Sequence, residues 1–152
     1  MEDTSIKQKL LQACKQYVEQ RIATASQAMN DAQDSANEEG KSSAGDKYET
    51  GRALMQIERD NAAQQVEEAL KLKRVLDQIN PEVLHDKVSL GSVVITSIYK
   101  IYLAIGAGKK HVEGEDFLII APLSPLGKTL LGLKVHEQFR FNNQVDTIIK
   151  IL

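Results

Sequence analysis

Ser42-Ser43-Ala44-Gly45-Asp46-Lys47-Tyr48-Glu49-Thr50 separates two long segments of helical period. If those segments fold back on each other, this stretch becomes the tip of a helical arm. Asp46 and Glu49 stand three residues apart, so a helix starting here puts both carboxylates on one face. The same spacing is a capping-box pattern, in which Asp46 accepts from a backbone N–H and Glu49 reaches back. The spacing alone therefore has a purely structural reading.

Before the tip, Asp3, Thr4 or Ser5 can cap a first helix. Ile6, Leu10, Cys14, Tyr17, Ile22 (with Val18), Ala25 and Met29 then recur every three or four residues, with Lys, Gln and Glu elsewhere. This gives one narrow apolar stripe from Thr4 to Asn30, a seam suited to a two-helix hairpin. From Asp31 to Gly45 the composition turns to Asp, Asn, Ser, Gly and Glu, and a polar loop is expected. Between Asp31 and Thr50 six acids face two lysines, a local charge of −4 that suits a solvated surface. After the tip, Leu54, Ile57, Ala62 (with Asn61), Val66, Ala69 (with Leu70), Leu72, Leu76 and Ile79 supply a second stripe. Asn80-Pro81 ends it, because the residue before proline disfavours helix. Two helices of similar length with a polar connection make an antiparallel hairpin.

The remainder differs in kind. Residues 1–80 contain no proline, whereas residues 81–152 hold all three prolines and all three phenylalanines. The expected division is a coiled-coil arm over 1–80 and a β-rich domain over 81–152. Val88 to Thr96 is one strand or two short ones, broken at Gly91. Tyr99 to Ile105 alternates with the period of a half-buried strand, and Phe117 to Ala121 is another. Gly106-Ala107-Gly108-Lys109-Lys110 between them is expected to be a turn. Ser124-Pro125 reads as N-cap and first residue of a short helix that Gly132 ends. Phe139 to Phe141 and Val145 to Leu152 form a hairpin turned at Asn142-Asn143. The fold class is α+β: a helical hairpin, then an antiparallel sheet with one short helix.

Other features bound the function. The net charge of −2 gives no reason to expect free nucleic acid as a partner. Cys14 is the sole cysteine, so no internal disulfide can form, and it is read as a packing residue. Met1-Glu2-Asp3-Thr4 is acidic with no apolar run behind it, so neither a signal peptide nor a membrane span is expected. A cytoplasmic location follows as an expectation. His85, His111 and His136 match no zinc spacing, so no metal or cofactor of the chain's own is expected.

The last third carries the most specific signal. Leu123-Ser124-Pro125-Leu126-Gly127-Lys128-Thr129-Leu130-Leu131-Gly132-Leu133-Lys134-Val135 resembles the Ser-Pro-(apolar)-x-x-x-(apolar)-(apolar)-Gly-x-Lys-Val element of Gre-type transcription elongation factors. In that family an antiparallel sheet wraps this helix in a fold similar to FK506-binding proteins. An N-terminal coiled coil carries a Gly-Asp-x-x-Glu element at its tip, which Gly45-Asp46-Lys47-Tyr48-Glu49 matches. Three features depart from the pattern, the first being a longer loop with extra acids before the tip, from Asp31 to Ala44. Thr50 follows the tip Glu in place of Asn, and His136-Glu137 replaces a Gly-Asp turn after Lys134-Val135.

The resemblance implies RNA polymerase as partner, with the coiled coil entering its secondary channel. It implies Asp46 and Glu49 as the residues that assist the Mg²⁺ of the polymerase active site in cleaving backtracked RNA. It implies a docking element at Ser124, Pro125, Leu126 and Lys128. The chain itself would be a monomer or weakly self-associating, and no enzyme in isolation. Three alternatives stand beside this reading. One is a regulator that occupies the channel without stimulating cleavage, and another is a coiled-coil module with a different partner. The third, a peptidyl-prolyl isomerase, rests on fold similarity and is opposed by the absence of tryptophan from a chain with three Phe and four Tyr.

Overall fold

The computed structural model describes residues 2–39 and 45–152; the side chains of Glu2 and of residues 39–48 lie outside that description. Two long helices open the chain, α1 (Glu2–Glu39) and α2 (Gly45–Asp77). Six strands and a short helix follow: β1 (Val93–Thr96), β2 (Lys100–Leu103), β3 (Gly108–Val112), β4 (Glu115–Ile120), α3 (Pro125–Leu130), β5 (Gln138–Phe141) and β6 (Gln144–Ile151). The chain forms two compact units, Val18–Lys73 and a second made of Met1–Tyr17 with Arg74–Leu152.

In the first unit α1 and α2 form an antiparallel hairpin. Arg21 Nη2 donates to Gln65 Oε1 at 3.4 Å. Arg21 stands 18 residues before the end of α1 and Gln65 20 residues after the start of α2, so helix lengths that differ by two residues lead from this bond toward the tip. The seam is built largely from alanine. Val18, Ala25 and Ala32 recur every seventh residue on α1, opposed by Ala62 and Ala69 on α2, and all five are buried.

Two expectations need correction here. Helix α1 does not stop at Asn30 but continues to Glu39. Ala32 and Ala36 prolong the buried seam, and Gln27 to Asp31 (2.8 Å) and Gln33 to Asn37 (3.2 Å) bond at the i, i+4 spacing of a helix surface. The expected loop over Asp31 to Gly45 is thereby reduced to residues outside the described ones. The α2 seam also runs in a different phase from the expected one. Leu54 and Ile57 are 53% and 56% exposed, and Asn61 is exposed beside buried Ala62. The buried phase is Ala62, Ala69 and Leu76, with Met55 half-buried one heptad before them.

In the second unit the strand order is β3-β4-β2-β1-β6-β5. Neighbours are antiparallel except β2 and β4, which run parallel with Ile101 opposite Leu118. The cause is β3: the expected turn over Gly106 to Lys110 gives way to an edge strand from Gly108, which a two-residue turn at Glu113-Gly114 returns to β4. Asn142 and Asn143, at φ 53° and 62°, make the expected tight turn between β5 and β6. His136 adopts φ 75°, a left-handed backbone at the position where the resemblance leads one to expect glycine.

One face of the sheet packs against α3. Val94, Ile101, Leu103, Phe139, Ile148 and Ile151 meet Leu126 and Leu130 in one core. Residues 3–17 of α1 pack against the sheet as well. Asp3 pairs with Lys150 and Lys9 with Glu113, and the Lys110 ammonium lies 4.9 Å from the Tyr17 ring centre. Strand β2 is consequently buried on both faces, from Ile101 through Leu103, instead of being the half-buried strand its alternation suggests.

Candidate functional site

The tip carboxylates stand on the first turn of α2. The helix is already formed at Gly45, so Asp46 lies within that turn. Its side chain belongs to the undescribed residues, and so does the cap of the helix. Glu49 is exposed, beside Arg52, Ala53 and Gln56 in a shallow open depression. A helix N-terminus carries partial positive charge, which favours carboxylates in its first turn. On the partner helix, Asp31, Asp34 and Glu38 are exposed along the last turns of α1. The last turns of α1 are thus acidic, with no Lys or Arg between Arg21 and Glu39, whereas the start of α2 sets Lys47 and Arg52 in sequence against Asp46 and Glu49.

The second candidate element is α3. Ser124 is its N-cap: Oγ accepts from Gly127 N at 3.1 Å and donates to Ala121 O at 2.6 Å. Pro125 occupies the first helical position, where a missing N–H costs nothing. Pro125 and Lys128 are exposed, whereas Leu126 points into the core. Of the four expected docking residues, then, two face solvent, one builds the cap and one packs. The tip and α3 lie in different compact units.

No protein-family profile matches the chain, and no curated protein matches it. Among solved structures, the chain is similar to one described as the structure of the transcription factor Gfh1. The identity is 16%, the match covers 88% of this chain and 90% of that one, and the TM-score is 0.35. Roles must therefore come from this chain's own residues. The element order is the expected one, a long helical hairpin followed by a mostly antiparallel sheet around one short helix.

Several polar groups that pattern reading passed over shape the sheet unit. Asp146 is 3% exposed, and its carboxylate accepts from Thr96 Oγ1 (2.6 Å), Ser97 N (3.0 Å), Ser97 Oγ and Thr147 N (2.7 Å). Burial alone would raise its pKa, but these bonds more than offset that and hold the carboxyl below its usual range. Lys7 is fully buried, and its ammonium donates to Val83 O in the segment joining α2 to the sheet. Burial pushes its pKa down to about 8. Lys7 shares a helical face with Leu11, Cys14 and Val18, so the buried face is wider than the stripe expected through Ile6 and Leu10.

Cys14 is buried and its pKa is pushed up to about 12, mainly by that burial, so it remains a thiol and a packing group. Neighbouring Tyr102 is fully buried, and its hydroxyl has no hydrogen-bond partner among the described residues. The histidines do not gather. His111 pairs with Asp116 at 2.8 Å on the β3–β4 edge, and burial and then Lys7 lower the pKa of His85. Among the described residues, no group of three or more His, Cys, Asp and Glu could hold a metal, and no helix is long and apolar enough to cross a membrane.

Proposed function

We propose that the chain is a Gre-like transcription factor that binds RNA polymerase, inserts its hairpin into the secondary channel and modulates elongation. The observation that carries this reading is the hairpin itself. Within the unit Val18–Lys73, α1 contributes residues 18–39 and α2 residues 45–73, about 33 and 44 Å of helix, and Asp46 and Glu49 stand at the start of α2. So long a pair of helices on an alanine seam is slender, and a slender rod suits a narrow channel better than it suits a globular core.

The chemistry follows from charge. Mg²⁺ takes a few carboxylate oxygens and completes its shell with water and phosphate. Asp46 and Glu49 would add oxygens to a metal site that the polymerase provides and would orient a water for attack on backtracked RNA. The chain then acts as an accessory, and the nuclease activity remains the polymerase's. A channel-occupying regulator without cleavage is the second reading. It is favoured by the exposed Asp31, Asp34 and Glu38, which add negative charge beyond the tip pair.

A transcript-cleavage assay on stalled complexes separates them. Wild type is expected to shorten backtracked RNA, and Asp46→Ala with Glu49→Ala to lower that rate at least roughly a hundredfold while still binding. Equal rates for wild type and variant would remove the tip chemistry. Wild type that binds without cleaving would establish the second reading.

A further inference from the structure

Strands β3 and β5 are the two edges of the sheet, and each has one row of backbone groups with no strand beside it. On β5 the turn decides which groups these are. Asn142-Asn143 is a two-residue connection, so Phe141 and Gln144 form a hydrogen-bonded pair, and so do Phe139 and Asp146 two residues on. The bond from Ile148 N to Glu137 O at 3.0 Å continues the series. Gln138 and Arg140 therefore turn their N–H and C=O away from β6, and both residues are exposed. Among the described residues no strand or turn takes up those groups.

The two edges differ in what they would set against a copy of themselves. Two β3 strands paired antiparallel about Lys110 would put lysine against lysine and Lys109 against His111, and lysines on an edge guard it against such pairing. The same register on β5, about Phe139, puts Gln138 against Arg140, Glu137 against Phe141 and Phe139 against itself. No like charges meet, and the Gln138 amide oxygen can accept from the guanidinium. Val145 and Thr147 stand opposite Arg140 and Gln138 on β6 and add no charge to that face, while the Asp146 carboxylate is buried.

We infer that β5 is a self-pairing edge, through which two copies of the chain join antiparallel about Phe139 and run their sheets together. The contact is isologous: each copy gives Gln138 to the other's Arg140, and each such pair exchanges two backbone hydrogen bonds. Strands this short make a weak dimer, with a Kd of roughly 10–100 μM. Pairing of this kind is independent of polymerase binding.

Sedimentation equilibrium of the full chain over roughly 5–500 μM, with amide hydrogen exchange at both ends of the range, tests it. Wild type is expected to dimerise as concentration rises. The amides of Gln138 and Arg140 then become protected, whereas that of Phe139 is protected throughout. Gln138→Lys sets lysine against arginine at both symmetric positions and is expected to weaken the dimer roughly tenfold at low salt. Gln138→Glu is expected to tighten it several-fold and to lose that gain in high salt. Arg140→Pro removes an N–H that β6 does not use, so the melting temperature is expected to hold while the dimer is lost. Should that variant melt early, the two Gln138 substitutions decide.

Wild type that stays monomeric across the range would overturn the proposal. So would a dimer that both Gln138 substitutions leave unchanged, since its contact would lie elsewhere. Protection of Gln138 and Arg140 that appears only when RNA polymerase is added would give the edge to a partner strand and would overturn it as well.

Discussion

Gly127→Ala is expected to destabilise the sheet unit by about 3 kcal/mol and to lower polymerase binding with it. Helix propensity alone argues the reverse, since alanine in a helix is favoured over glycine by roughly 0.5–1 kcal/mol. Close approach decides the sign. A β-carbon at Gly127 would stand 2.3 Å from Ala121 O and 2.6 Å from Pro122 O. Both are backbone atoms, so no side chain can swing aside. The 121–124 turn cannot yield cheaply either, because Ser124 N and Oγ both donate to Ala121 O and Gly127 N closes the cap on Ser124 Oγ. Relief requires α3 to lift from the core it forms through Leu126 and Leu130. Thermal unfolding of the variant checks this. A melting temperature at or above wild type would mean that α3 is not seated against residues 121–122.

The second large effect is expected at Asp146. Its replacement by alanine strands Thr147 N and removes one acceptor from the Thr96 hydroxyl, which keeps Tyr99 O at 3.3 Å, from Ser97 N, which keeps Thr147 O at 3.1 Å, and from the exposed Ser97 hydroxyl. Losing these bonds costs about 2 kcal/mol in total, which for a chain of this size is a drop of roughly 6 °C in melting temperature. The same carboxylate sets an acid dependence. Its pKa in the folded chain lies below the unfolded value, so the folded state holds fewer protons there. The stability it contributes is fully present above the unfolded carboxyl pKa of about 3.9 and is lost as pH falls through the folded value. Acid titrations of stability should therefore be shallower at the low-pH end for Asp146→Ala than for wild type. Parallel curves would show that the carboxylate is not held as described.

Local chemistry was the legible part of this sequence. Ser124-Pro125 announced the start of α3, and Asn142-Asn143 announced a tight turn, because cap and turn preferences depend on a few adjacent atoms. What escaped was set at a distance. Gly108-Lys109-Lys110 has the composition of a turn and becomes an edge strand because β4 supplies its hydrogen bonds. The parallel pairing of β2 with β4 follows from that insertion and leaves no trace in either strand. Strand β2 alternates like a one-sided strand, yet α1 packs near enough to bury Tyr102.

The hairpin was misread for another reason. Alanine seams give weak hydrophobic contrast, so Ala32 and Ala36 looked like loop and Leu54 and Ile57 drew the α2 stripe out of phase. The candidate site was legible as a motif only. Nothing in the spacing of Asp46 and Glu49 separates capping from chemistry, and the open edge of β5 depends on a strand order that no local pattern shows.

Entry of the Asp46–Glu49 turn into a polymerase channel is tested by site-specific photo-crosslinking from position 50, one residue beyond Glu49, in a mixture of the full chain with core RNA polymerase. An adduct is expected that maps to the polymerase subunit bearing the catalytic Mg²⁺ and that is lost when the channel is blocked. A probe at position 50 that gives no adduct, while one at position 128 crosslinks efficiently, would contradict channel entry.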